Sequence, residues 1–368
     1  MLLLPLPLCR PGMRLGKPIY SDDGIVLLNE KMELTESILR RLEHYRIQNL
    51  YIEDSRTDDL SPKDVVSPET RARATMEVRN EFRKMMDDSL KKRAVTGPRQ
   101  LARAFRSVID SIIDEISANR DTMTMLVNID AADHYLFRHS VNVCIYATIL
   151  GQAHGYSRDE LYTLSLGALL HDIGKTQLPQ DVLLKPSKLT PEEYKIIQTH
   201  STLGFKMLKD EPNVPLLSAH IALQHHERIN GTGYPRAIAG DEIHDYAKWV
   251  GLVDSYDAMT TTRVYRNAML PHEAMEILYT GAGTLYDLEK VEVFRDKIAI
   301  YPIGMLVRLN SGEIGVVVDV NSLFPQRPVV RILYDADRRP IAPYETDLSK
   351  SLTTYVMEAN VAFSGIGA

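Results

Sequence analysis

Apolar residues recur at two different periods along this chain, and the places where the period changes divide it. From Glu69 to about Asp296 the spacing is close to 3.6, the mark of amphipathic helices. "ETRARATMEVRNEFRKMMDDSLKK" and "QLARAFRSVIDSIIDEISAN" show it most openly, so residues 69–120 are expected to form two long helices. Such a pair can act as a bundle scaffold, a lever between domains or the seam of a homodimer; the pattern does not choose. After "YPIG" (301–304) the period falls to two. "MLVRLN", "EIGVVVDVN", "PVVRILYD" and "LTTYVME" are short, β-branched and separated by turn residues, which predicts a small C-terminal β appendage over 301–368.

The first 55 residues mix both periods. "KPIY" and "GIVLLN" flank Asp22, Asp23 and Gly24, a hairpin signal. "TESILRRLEHY" opens with Thr35 and Glu36 and carries apolar residues at helical spacing, and "NLYIED" returns as a strand. These make a small N-terminal α+β module over 1–55, followed by a polar, proline-containing linker over 56–68. The opening "MLLLPLPLCRPG" is apolar, but it is short and interrupted by Pro5 and Pro7. It reads as an irregular lead-in rather than a signal peptide or membrane span. The expected fold is mainly α, with a helical bundle between two small modules.

Composition narrows the function classes. A hydrophobic share of 44% and a charged share of 25% are those of a soluble globular protein. A formal charge of −6 gives no positive field for a nucleic-acid polymer, although a small anion needs only a local basic pocket. No segment is apolar for long enough to enter a membrane. Cys9 and Cys144 are too few for a disulfide framework or a thiolate zinc site, which fits the cytoplasm.

Several of the 11 histidines stand where leucine is expected. In "RDELYTLSLGALLHD", His171 closes the stripe of Leu161, Leu164 and Ala168. His139 leads the face continued by Val143, Ala147 and Leu150, and His200 follows Ile196. His225 and His226 follow Ile221 and Ala222 by four, and Val250, Asp254, Asp257 and Ala258 share one face. One inward histidine is ordinarily a hydrogen-bonded core residue. Inward imidazoles and carboxylates on successive helices need partners together, and a metal centre supplies them. The intervals from His139 to His171, His200, His225 and from His226 to Asp254 run from 25 to 32 residues, about two helices and their turns. Such spacing can return each ligand to one level of the bundle.

Imidazole with carboxylate and no thiolate suits Fe, Mn, Zn, Co or Ni. Five histidines and two aspartates exceed one ion's needs, so a pair bridged by a carboxylate and a hydroxide is expected. In that pair His171 binds one ion while Asp172 spans to the second. Gly174 is expected to end the helix, and Lys175 to present a cation to a phosphate oxygen. The glycine-rich loop "HHERINGTGYPRAIAGDEIH" and the arginines Arg263 and Arg266 add anion-binding capacity near the same mouth.

"HDIGK", "HHER…GTGYP" and "DSYDAMTTTR" in this order resemble the HD-GYP family of cyclic di-GMP phosphodiesterases, from about Asp133 to Phe294. The resemblance implies an HD-type helical bundle over 121–300. It implies His139, His171, Asp172 and Asp254 around one divalent ion, with Asp172 bridging to a second held by His200, His225 and His226. Fe or Mn is the expected metal, with Zn, Ni, Co or Mg the alternatives. Lys175, Arg263 and Arg266 match positions that contact phosphates and guanines, and Asp257 lines the site as a candidate proton acceptor. Gly233, Tyr234 and Pro235 match the lip that shapes the pocket and offers a surface to a protein partner. Family members with three metals carry a glutamate where this chain has Tyr135. The expectation is therefore a two-metal site, hydrolysis by attack of a metal-bridging hydroxide, and linear pGpG rather than GMP as the main product. The rival readings are an HD phosphohydrolase for another nucleotide or cyclic dinucleotide, and a non-catalytic cyclic di-GMP receptor. His44, His134, His154, His220, His244 and His272 are expected at the surface or in caps.

Overall fold

The computed structural model describes residues 1–21, 25–45, 47–62, 64–90, 100–119, 135–185, 187–261, 268–321 and 323–361, with backbone alone at 90 and 135. The chain opens with strand β1 (Leu2–Pro5), then β2 (Ile19–Tyr20), β3 (Val26–Leu28), helix α1 (Glu36–His44) and β4 (Asn49–Ile52). β1 pairs antiparallel with β4 in the register Leu2↔Ile52, Leu3↔Tyr51, Leu4↔Leu50. This corrects the expected irregular lead-in. Pro5 and Pro7 stop the strand from continuing, yet the three leucines before them pair and are almost fully buried. β2 pairs with β3 as the hairpin pattern predicts; its turn, 22–24, lies outside the described residues.

The helical body comprises α2 (Pro68–Leu90), α3 (Leu101–Ala118), α4 (Tyr135–His154), α5 (Arg158–Leu170), α6 (Gln180–Leu183), α7 (Pro191–Leu208), α8 (Leu216–Gln224), α9 (Asp245–Thr260), α10 (Pro271–Thr280) and α11 (Leu288–Lys297). Local chemistry sets several starts. Ser157 with Glu160 and Thr190 with Glu193 form reciprocal capping boxes on α5 and α7. The His244 ring accepts from the Tyr246 amide to cap α9, and Asp287 caps α11. The apolar stripe of α3 (Phe105, Val108, Ile109, Ile112, Ile116) is buried within the chain, which is the scaffold role among the three the pattern allowed. Glu115 holds the start of α2 by accepting from the Ser67 amide at 2.6 Å and the Thr70 hydroxyl at 2.5 Å.

Strands β5 (Leu306–Leu309), β6 (Ile314–Asp319), β7 (Val329–Tyr334), β8 (Pro340–Asp347) and β9 (Val356–Ala359) form one antiparallel sheet in the order β8-β7-β6-β5-β9. Its two faces join different cores. Leu306, Ile314, Val316, Leu333 and Tyr334 pack with Leu2, Leu4, Leu15, Leu50 and Ile52 of the N-terminal module. Val307, Leu309, Val317, Val330 and Ile332 belong to the core that runs through the helical body. Arg331 adds a bidentate pair with Asp59, at 2.7 and 2.6 Å. The expected appendage is thus a plate covered on both sides. β8, with prolines at 340 and 343, escaped the period-two reading because it is the outer strand, where ladder donors are dispensable.

Candidate metal centre

α4 carries His139, buried among Val141, Val143 and Ala147. α5 ends at Leu170, with His171 as its cap and Asp172 next, before a tight 3₁₀ turn over Ile173–Gln177. Gly174 therefore does not end the helix as expected; it lies inside this turn. A Cβ there would stand 2.0 Å from the His200 carbonyl oxygen and 2.6 Å from the Gly204 nitrogen. The glycine lets the turn press onto α7 and brings Asp172 beside His200. His225 caps α8, and Gly251 lets α9 approach it, since a Cβ there would meet the His225 oxygen at 2.4 Å.

Seven ligand-type side chains meet here. His139, His171 and Asp254 form one group, and Asp172, His200, His225 and His226 a second; within each, the ligand atoms lie within 4.8 Å of one another. Asp172 faces both. Its Oδ2 is 3.3 Å from His171 Nε2 and 3.8 Å from His139 Nε2, while its Oδ1 is 3.4 Å from His200 Nε2 and 4.0 Å from His225 Nε2. Asp254 reaches His139 Nε2 at 3.1 Å and His226 Nδ1 at 3.7 Å. Lys175 Nζ lies 2.5 Å from Asp172 Oδ2. The structure brings these positions together from five parts of the chain: α4, the end of α5, α7, the end of α8 and α9.

Three rings are oriented by the backbone. Nδ1 of His171 and of His200 lies 2.7 Å from the carbonyls of Ala168 and Ile197, and Nδ1 of His225 lies 3.1 Å from those of Ile221 and Ala222. That arrangement makes Nδ1 the proton donor and leaves Nε2 a lone pair facing the cluster. His171 Nε2 and Asp172 Oδ1 are buried with no hydrogen-bond partner. A cation in the first group satisfies the former and one in the second group the latter, so the donor set fits divalent metal ions.

Charge divides the two groups. Burial favours a neutral His139, but Asp254 and Asp257 hold its charged form and push its pKa up to about 9. Burial pushes His200 down to about 4 and, with neighbouring imidazoles, His225 and His226 well below their ordinary value. Burial raises Asp172, yet Lys175 and His171 outweigh it and keep this carboxyl well below the usual range. Near neutral pH the second group therefore offers bare imidazoles, whereas His139 gives up a proton to accept a cation. At a limiting concentration of free metal, the first group is expected to fill more completely as pH rises from about 7 towards about 9. Equilibrium dialysis with proton-release measurement checks this; metal binding that weakens over that range contradicts it.

Asp257 requires a correction. Its Oδ2 lies 2.7 Å from His139 Nδ1 and its Oδ1 accepts from Asn142 Nδ2 at 2.9 Å. Nδ1 and Nε2 diverge across the ring, so Asp257 stands behind His139 rather than facing the cluster as a proton acceptor. The Gly233–Pro235 turn closes the other side. Gly233 lies against the backbone of His226, Glu227 and Arg228, where a Cβ would meet atoms at 2.4–2.5 Å. The Tyr234 ring stacks on His226 with centroids 4.6 Å apart, and Pro235 is exposed at the rim. Arg263 and Arg266 lie outside the described residues, as does the Tyr135 side chain.

Sequence reasoning missed Asn142, Glu227 and Arg228. Buried Glu227 accepts from the Arg236 amide at 2.8 Å and so anchors the loop after the turn. Arg228 donates to the His225 and Glu227 carbonyls and lies over the Tyr286 ring. The signal for Asn142 was its place three residues after His139 on one helical face.

Residues 124–289 match the family model of an HD domain, and residues 306–361 that of a KOW domain associated with HD domains. A cyclic di-GMP phosphodiesterase of Pseudomonas aeruginosa is 30% identical over 359 residues, covering 92% of this chain and 85% of that protein. Another cyclic di-GMP phosphodiesterase, from Thermotoga maritima, is 40% identical over 159 residues, or 43% of each chain. A 3′3′-cGAMP-specific phosphodiesterase of Vibrio cholerae is 33% identical over 175 residues, 47% of this chain and 38% of that one. An HDG"Y"P protein of Bdellovibrio bacteriovorus has a similar fold, with a TM-score of 0.51 and 20% identity over 80% of this chain and 98% of that one. Among the described residues no helix is long and apolar enough to cross a membrane.

Proposed function

Because this chain belongs to the HD-domain family of cyclic di-GMP phosphodiesterases, we propose that its histidine–aspartate cluster hydrolyses cyclic di-GMP, with linear pGpG as the main product. Asp172 carries the reading, since its two oxygens face two separate groups of imidazoles. His139, His171 and Asp254 would hold one divalent cation, His200, His225 and His226 the other, and Asp172 both. An imidazole and carboxylate set of this kind suits iron or manganese, with zinc, nickel, cobalt or magnesium the alternatives. When bound, the cations make a water nucleophilic at neutral pH and offset charge on the phosphoryl oxygens.

The chain's own groups do the rest. The backbone carbonyls behind His171, His200 and His225 hold those rings in register, so little reorganisation accompanies the reaction. Lys175, partly exposed beside Asp172, supplies a positive charge for a phosphate oxygen. Arg263 and Arg266 are assigned to the phosphates and guanines, and the Tyr234 ring bounds the pocket from the His226 side. Tyr135 in place of a third-metal glutamate supports two cations and cleavage that stops at pGpG. In this reading 121–300 does the chemistry, and exposed Pro235 marks the surface for a protein partner. Free buried Cys9 and Cys144 fit a reducing cytoplasm.

The test is an assay of the metal-loaded full chain on cyclic di-GMP, 3′3′-cGAMP and GTP, with products separated by chromatography. Expected is consumption of cyclic di-GMP with pGpG accumulating, stopped by a chelator. Tight cyclic di-GMP binding without turnover at full metal content overturns the reading in favour of a receptor. Faster turnover of 3′3′-cGAMP or GTP moves the substrate assignment.

A further inference from the structure

His139 differs from the other oriented rings in what stands behind it. His171, His200 and His225 use backbone carbonyls at Nδ1, whereas His139 uses the Asp257 carboxylate at 2.7 Å. Asp257 is itself held, because Asn142 Nδ2 donates to its other oxygen at 2.9 Å. All three side chains are sealed from solvent: His139 is 2% exposed, and Asn142 and Asp257 are each 1% exposed. The arrangement follows from helix geometry. His139 and Asn142 are three apart on α4, Asp254 and Asp257 three apart on α9, and the two helices pack together. One face of α9 thus sends Asp254 to the Nε2 side of the ring and Asp257 to the Nδ1 side.

We propose that Asn142 and Asp257 form an orienting brace for His139. Asn142 fixes the plane of the carboxylate, and the carboxylate accepts the Nδ1 proton. Nε2 is then left as a lone-pair donor towards the cation site, more basic than a ring backed by a carbonyl. Both are positioning residues. The brace rests on the metal-centre reading and adds that one of the two cation sites depends on a carboxylate that touches neither cation nor substrate. Partners of this kind tune affinity by about 10–100-fold.

The test titrates the metal-stripped full chain with Co²⁺, read by visible absorption in competition with a chelating dye. Unmodified protein, Asp257→Asn and Asn142→Ala are compared, with far-UV circular dichroism to confirm folding. Expected for Asp257→Asn is about 10–100-fold weaker binding in one of two steps, the other step staying within about threefold. Asn142→Ala, the milder change, weakens the same step by about 3–10-fold and carries the test if Asp257→Asn does not fold. Raising the metal concentration returns Asp257→Asn turnover to within about tenfold of the unmodified protein. Unchanged binding in both steps with turnover lost at every metal concentration overturns the brace and restores a proton-acceptor role. Equal weakening of both steps overturns it as well, since that is general loosening. Failure of the unmodified chain to bind any divalent ion sinks the metal-centre reading itself, a different result from normal binding by Asp257→Asn.

Discussion

Replacing His171 and Asp172 together by alanine is expected to strip the protein of bound metal and lower turnover of cyclic di-GMP by at least about 10³-fold. His171 supplies Nε2 to one ligand group, and Asp172 turns one oxygen to each group. Losing both leaves Asp254 as the one carboxylate of the seven-residue cluster and the Lys175 ammonium without its Asp172 partner. Both residues are essentially sealed from solvent, so Asp172→Asn provides a shape-preserving companion that keeps the volume and removes the charge. Elemental analysis and a product assay on the same preparations give the answer. Either variant retaining metal and turnover refutes the assignment.

The second large effect is on stability, from a residue with no functional group. Gly174→Ala is expected to destabilise the fold by about 3 kcal/mol, the upper part of the range for overpacking, because the new methyl meets backbone rather than a movable side chain. Pushing the 173–177 turn off α7 also separates Asp172 from His200, so metal content falls with melting temperature. Gly204→Ala is the control on the facing helix. Its Cβ would meet the Ala222 methyl at 3.4 Å, an ordinary contact, and a change below about 1 kcal/mol is expected. Denaturant unfolding of the two variants measures the contrast, and equal stability would show that the turn is not clamped.

These expectations draw on features that were unequally visible in the sequence. The ligands were legible because a polar residue on an apolar helical face breaks a pattern, and His139, His171 and Asp254 each break one. Their convergence followed from helix lengths. The order of motifs then pointed to the chemistry. The brace was not legible, because the spacing of Asn142 from His139 does not name Asp257 as their shared partner until α9 is packed beside α4. Gly174 looked like a stop signal; its reason lies 26 residues later, in the carbonyl of His200. At the two ends of the chain the period reading failed where proline falls inside the strand itself, in β1 and in β8. Proline forbids one backbone donor, which an outer strand can spare, so it marks an edge and not the absence of a strand.

The five-stranded sheet, apolar towards the N-terminal strands on one side and towards the helices on the other, has a bearing on how such proteins can be recombined. A chimera that exchanges only the first sixty residues, or only the last sixty, pairs an oily surface with a stranger and has to re-form that seam from unrelated side chains. Exchanging both together keeps the seam whole. The opening and closing segments are in this sense one inherited cartridge, and the helices between them are its cargo.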